Sequence, residues 1–213
     1  MSELCIQDQY LIKTEAQLRE HMGETTESIW AKATASLSAP MIRFISLSPF
    51  CCISSSDSQG QTDISPRGDA PGFISIANAG QLILPDRPGN RRFDTIRNIM
   101  QNPQISLLFM IPGCPLTLRV NGCAQVSCDP DLLGQFAVQQ KLPKMVVIIT
   151  VQEAYGHCAK AINRGKLWEP DYRQSRKDVP SLTELMTHHL ALQEEEIKSI
   201  ESTVIQDLKD SMY

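Results

Sequence analysis

Seven cysteines are spread through the chain, at positions 5, 51, 52, 114, 123, 128 and 158, yet no Cys-x-x-Cys occurs. Structural zinc ligands come in tight paired spacings, so a zinc module is not expected. The odd count and irregular spacing fit reduced thiols in a cytoplasmic protein better than a disulfide framework. No apolar run approaches the ~18 residues of a membrane helix. The stretch MVVIITV (145–151) has the length of a buried strand. The first residues, MSELCIQDQY, lack the charged and apolar regions of a signal peptide, which again points to the cytoplasm and away from a membrane. A broad basic surface is missing too. Lys and Arg number 20 against 24 Asp and Glu, a net charge of -4, which argues against nucleic acid as a partner. There is no G-x-G-x-x-G of a dinucleotide fold and no G-x-S-x-G nucleophile elbow. His188 and His189 are adjacent on a predicted helix, about 100° apart, a poor geometry for a metal.

What is present is a chain of short strands. A first helix is expected over 14–22, with a capping box from Thr14 to Gln17, and a second over about 25–36. MIRFISLS (41–48) and FCCISSS (50–56) read as strands, with DSQG (57–60) as a hairpin turn. GFISIA and QLIL flank the turn NAG. ISLLFMI (105–111) reads as a fully buried strand, followed by the turn PGCP. In LTLRVNGCAQVSC (116–128), Leu118 and Val120 face one way and Arg119 and Asn121 the other. A short helix follows Asp129, and a long strand covers 145–158. About seven strands at close spacing indicate a sandwich or barrel. A helix over about 181–208 ends the chain, with a slip of its apolar phase near Glu194–Glu196. The expected divisions are a helical extension (1–40), a barrel domain (41–170) and a C-terminal loop and helix packing on that domain (171–213).

Two stretches carry an unusual charge pattern. From Asp86 to Arg97 there are four Arg and two Asp inside an acidic chain. The spacing predicts a helix whose first turn holds Arg91 and Arg92, where the helix dipole disfavours cations by roughly 0.3–1 kcal/mol each. An anion there would remove the conflict, and Arg's planar fork suits phosphate. The second stretch, DISPRGDAPGF (63–73), sets Arg67 and Asp69 among Pro and Gly. It reads as irregular backbone open to close approach by a ligand. The plain alternative is a solvated loop with a local Arg67–Asp69 pair.

These motifs, in order, resemble the FMN-binding split-barrel proteins related to pyridoxamine 5'-phosphate oxidase. The likeness is carried by SPF (48–50), DISPRGDAPGF, LPDRPGNRRFDTIRNI, NPQISLLFMIPG, TLRVNG (117–122) and HCAKAINRGKLWEP (157–170). It implies a mainly β fold with flanking helices, a six-stranded split β-barrel with a long C-terminal helix added here. It implies a homodimer with FMN at the subunit interface. Arg67, Arg91 and Arg92 would map to the FMN phosphate, with Asn90 capping the helix. Leu84, Pro85 and Asp86 would run beside the isoalloxazine ring, and Ser65 would touch its edge atoms. His157 or Lys160 would complete the site of the other subunit, and Trp168 would stack on the flavin or plug the dimer seam. The C-terminal Arg–His segment that grips substrate in true pyridoxamine-phosphate oxidases has no counterpart in these residues, so vitamin B6 oxidation is not expected. The resulting expectation is an FMN-dependent oxidoreductase acting with a small-molecule electron donor or acceptor. A flavin sensor or carrier without turnover, or a haem-binding barrel, are the alternatives. No catalytic acid or base stands out.

Overall fold

The computed structural model describes residues 5–89, 91–190 and 192–210. The chain forms two compact units, Met1–Ala33 and Thr34–Tyr213. In the first, helix α1 (Glu15–Met22) has the expected capping box. The Gln17 amide donates to Thr14 Oγ1 at 3.2 Å, and Gln17 Oε1 accepts from the Thr14 amide at 3.1 Å. Helix α2 (Glu27–Trp30) is far shorter than the expected span of 25–36.

In the second unit Thr34 already pairs as a β-bridge with Ala154, so no helix can extend to residue 36. Residues 41–48 correct the sequence reading. They are helix α3 (Ala39–Leu47), not a strand. Pro40 near the start pre-sets a helical φ. Met41, Ile42, Phe44 and Ile45 then share one half-buried to buried side, while Arg43, Ser46 and Leu47 are exposed. That is helical spacing. The β-branched content of MIRFISLS suggested otherwise.

Seven strands follow among the described residues: β1 (Phe50–Ser56), β2 (Thr62–Gly68), β3 (Ser75–Asn78), β4 (Gln81–Pro85), β5 (Gln104–Met110), β6 (Thr117–Ser127) and β7 (Val146–His157). They make one sheet in the order β2-β1-β5-β6-β7-β4-β3, antiparallel throughout. With its flanking helices this is the mainly β, split-barrel class expected, with seven strands rather than six. Asp57 makes the β1–β2 turn by accepting from the Gln59 and Gln61 amides.

The core lies on one face of the sheet. Cys51 and Ile53 of β1, Leu107 and Phe109 of β5, Leu118 and Val120 of β6, and Val147 and Ile149 of β7 alternate into it. β5 is therefore half-buried, not fully buried: Ile105, Leu107 and Phe109 point in, while Ser106, Leu108 and Met110 are only partly covered. Helix α4 (Asp94–Gln101) closes this face with Ile96 and Ile99. Burying each such side chain is worth about 1.5–3 kcal/mol. Two amides tie α4 to β1, Asn98 to Ser55 Oγ at 3.0 Å and Asn102 to Ser56 Oγ at 2.9 Å. Gly122 sits where the β6–β7 register shifts. A Cβ there would lie 2.2 Å from the Thr150 carbonyl oxygen, so only glycine fits.

Helix α5 (Pro130–Gly134) covers a smaller cluster around Ile83, Phe136 and Val146. Helix α6 (Lys160–Arg164) follows β7. The expected C-terminal helix is two, α7 (Leu182–Thr187) and the 17-residue α8 (Glu194–Asp210). The slip of apolar phase marks the start of α8, where Glu196 accepts from the Gln193 amide at 2.8 Å.

Candidate functional site

DISPR is not irregular backbone. It is edge strand β2, and an edge tolerates Pro66 because no outer neighbour needs its missing N–H. Alternation then places Asp63, Ser65 and Arg67 on one face, opposite Ser55, Ile53 and Cys51 of β1. That face meets the first turn of α4. Arg67 Nη2 donates to Thr95 Oγ1 at 3.3 Å. Thr95, 2% exposed, donates in turn to Asp63 Oδ2 at 3.1 Å, and Ser65 Oγ donates to the same oxygen at 3.0 Å. A guanidinium, two hydroxyls and a carboxylate thus converge at the N-terminal end of a helix, whose first amides lack intrahelical partners.

Asp69 does not pair with Arg67. It binds Arg87 at 2.8 Å, with only 5% and 17% of the two side chains exposed. Arg87 also donates to the Phe136 carbonyl at 2.8 Å. This pair fastens the turn after β2 to the loop leading into α4.

Arg91 and Arg92 precede α4 rather than occupying its first turn, which corrects the dipole argument. The helix begins at Asp94 with Phe93 as its N-cap, at φ 60°. Arg91 has φ 57°. Left-handed backbone at two bulky residues, costing roughly 1–2 kcal/mol each, stops the helix from starting earlier. Both arginines are exposed. Arg92 Nε donates to Asp94 at 2.7 Å. That hydrogen bond, with Asp63 acting from farther away, holds the Arg92 guanidinium above its ordinary value. Asn90 lies outside the described residues.

Leu84 and Pro85 end β4 as buried residues. Beyond Ser75↔Ile83 no further β3 pair is formed among the described residues, so their backbone is what they can offer on that side. Asp86 follows. Burial raises its carboxyl above the ordinary value, against the opposing pull of Arg67. Burial likewise pushes the Cys51 thiol up to about 12, again opposed by Arg67.

The remaining candidates lie elsewhere. His157 ends β7, and its Nε2 accepts from Arg119 Nε at 3.1 Å. The Arg119 guanidinium lies 4.8 Å from the Tyr155 ring centroid, and the Tyr155 and His157 rings are 5.0 Å apart. Lys160 is exposed at the start of α6. Trp168 Nε1 donates to the Cys114 carbonyl at 2.8 Å, tying the segment after α6 to the β5–β6 turn. Asp63, Thr95 and Arg119 were not singled out in the sequence. The i, i+2, i+4 spacing of Asp63, Ser65 and Arg67 would have revealed the first, had the stretch been read as a strand. Two open grooves, of about 520 and 630 Å³, lie beside Ile42, Ser46 and Ile74 and beside Ile99, Met100 and Lys144. No helix among the described residues is long and apolar enough to cross a membrane.

A family model described as pyridoxamine 5'-phosphate oxidase matches residues 38–158, more than half of the chain. The chain belongs to the pyridoxamine 5'-phosphate oxidase family. That family commonly binds flavin. The match takes in β1 to β7 and therefore Arg67, Thr95 and His157, and stops short of Lys160 and Trp168. No curated protein matches. Among solved structures, HupZ of Group A Streptococcus is 19% identical with a TM-score of 0.47, over 56% of this chain and 93% of its own. General Stress Protein 26 of Bacillus anthracis is 15% identical, TM-score 0.42, over 54% and 88%. An FMN-binding protein of Syntrophomonas wolfei is 9% identical, TM-score 0.41, over 55% and 81%. The family assignment rests on the family model, not on these distant likenesses.

Proposed function

We propose that this protein is an FMN-binding flavoprotein, an oxidoreductase whose substrate is a small-molecule electron donor or acceptor. The observation that carries this is Arg67 set against Thr95 and Ser65 at the first turn of α4. A charged fork, hydroxyls and helix amides are the donor set for a terminal phosphate. FMN carries such a group and riboflavin does not. Bound there, FMN would supply the redox chemistry. Arg67, Ser65 and Thr95 would hold its phosphate, with Arg91 and Arg92 adding charge at the rim. The backbone of Leu84 to Asp86 would flank the ring system.

The proposal includes a homodimer with FMN at the subunit interface. Register supports it. Arg67 shares a row and a face with Cys51, Phe109 and Leu118. Arg119 lies one residue on, so it and its row partner Tyr155 point to the opposite face. β2 and β6 are three steps apart in the sheet, about 14 Å. In the proposed dimer the Arg119–His157 pair would therefore serve the Arg67 of the other copy rather than its own. An absorption spectrum of the purified protein after incubation with FMN tests the reading. Flavin bands that stay with the protein through gel filtration, at a dimer's elution volume, are expected. A Soret band instead would favour a haem-binding barrel, and neither chromophore would refute the assignment.

A further inference from the structure

One side chain in the cradle has the wrong sign for an anion site. Asp63 accepts on a single oxygen from Ser65 at 3.0 Å and from Thr95 at 3.1 Å, both shorter than the 3.3 Å contact between the two hydroxyls. Each hydroxyl has one proton to give. A phosphate held by Arg67 can use neither while Asp63 keeps them. Asp63 also acts on Arg92 across the loop, so it draws on the positive charge of the same site. A carboxylate beside a bound phosphate raises the energy of the bound state, since like charges disfavour each other at short range. The arrangement is not an isolated surface carboxylate, because its partner Thr95 is buried and is itself bonded to Arg67.

We propose that Asp63 is a built-in competitor for the cofactor's phosphate, the residue that sets how tightly this protein holds its flavin. The Asp63 carboxylate accepts from Ser65 and Thr95 as a phosphate oxygen would, and it reaches Arg67 through Thr95. On binding, the phosphate must displace that carboxylate from the hydroxyls. Affinity is thereby held below what Arg67 and the helix end would otherwise give, and the flavin remains exchangeable.

This inference rests on the proposed FMN reading, and the test separates the two. Dissociation constants for FMN, riboflavin and inorganic phosphate would be measured by titration on the wild-type chain and on Asp63→Asn. Asparagine keeps the shape and one acceptor oxygen but removes the charge. The expected result is FMN binding at least tenfold tighter in Asp63→Asn, inorganic phosphate tighter in parallel, and riboflavin unchanged. Structural damage would weaken binding, so a gain cannot come from misfolding. Should Asp63→Asn fail to fold, Asp63→Ser gives the same reading. Unchanged or weaker FMN binding in a folded variant, while the wild type still prefers FMN to riboflavin, would overturn the role of Asp63 and leave the phosphate site standing. Equal wild-type affinity for FMN and riboflavin would overturn both.

Discussion

The cradle between β2 and α4 and the end of β7 were both nominated as parts of one cofactor site, and they are built differently. In the cradle, side chains from a strand and a helix interlock: Arg67 to Thr95, Thr95 and Ser65 to Asp63. The Asp69–Arg87 pair, largely buried, holds the loops behind it. At the end of β7, Arg119 meets Tyr155 and His157 across one strand pair, and Lys160 stands exposed beyond them. The first region is organised within one chain. The second presents Arg119 from the opposite face of the sheet, with Lys160 on the helix that follows. Preorganised donors bind with less ordering cost, so the cradle should carry most of the cofactor affinity and the β7 end should tune it.

The Asp69–Arg87 pair supports the cradle, and its loss should have the largest effect. Asp69→Ala leaves the Arg87 guanidinium largely buried without this carboxylate, a loss typically of about 3–5 kcal/mol. Urea unfolding should show a drop of that order, with FMN binding weakened at concentrations where the fold survives. A stability change below about 1 kcal/mol would mean that the pair does not organise the cradle.

Replacing the two rim arginines sharpens it. Arg92 is exposed and already paired with Asp94, and exposed ion pairs contribute about 0.2–1 kcal/mol. Arg91→Ala with Arg92→Ala should therefore weaken FMN only severalfold, and added salt should erase most of the difference. A hundredfold loss would put these arginines, rather than Arg67, at the phosphate.

The last effect, beneath the cradle, is silent at neutral pH and appears only in alkali. The Cys51 thiol faces Arg67 across the β1–β2 ladder and is held up to about 12, so the folded state keeps its proton to higher pH than the unfolded chain does. Its contribution is intact below about pH 9 and is lost as pH rises toward 12, by up to about 1.4 kcal/mol per pH unit. Denaturant midpoints from pH 8 upward should fall accordingly. In a Cys51→Ala variant, already weakened at neutral pH by the lost packing, that alkaline fall should be shallower.

Much of this was legible in the sequence, for identifiable reasons. The short run FCCISSS, alternation in TLRVNGCAQVS, turn residues at Asp57–Gly60 and Pro112–Gly113, and the Thr14 capping box each act within a few residues, and each formed where expected. Helix α3 was misread because its short apolar run, with Ile42 and Ile45 in it, matches a strand, while Pro40 and the four-residue apolar spacing decide its state. The start of α4 was misplaced by three residues, because left-handed backbone at Arg91 and Phe93 is not encoded by glycine there. The site arginines stood out by charge alone. Asp63 and Thr95 did not, because their meaning comes from edge strand β2 and helix α4 meeting, and α4 is fixed to the neighbouring β1 by Asn98 and Asn102, residues that look ordinary in the sequence.

If Arg67 recognises a phosphate, affinity for FMN relative to riboflavin must depend on it. Both ligands share the ring system, so their ratio isolates the phosphate. Losing a charge-assisted hydrogen bond should cost about 1.5–3 kcal/mol, roughly ten- to a hundredfold. The wild-type chain should bind FMN at least tenfold more tightly than riboflavin, and Arg67→Ala should bring the two affinities close together by weakening FMN alone. If Arg67→Ala weakens both ligands equally, or leaves the preference for FMN intact, Arg67 does not hold the phosphate and the account is wrong.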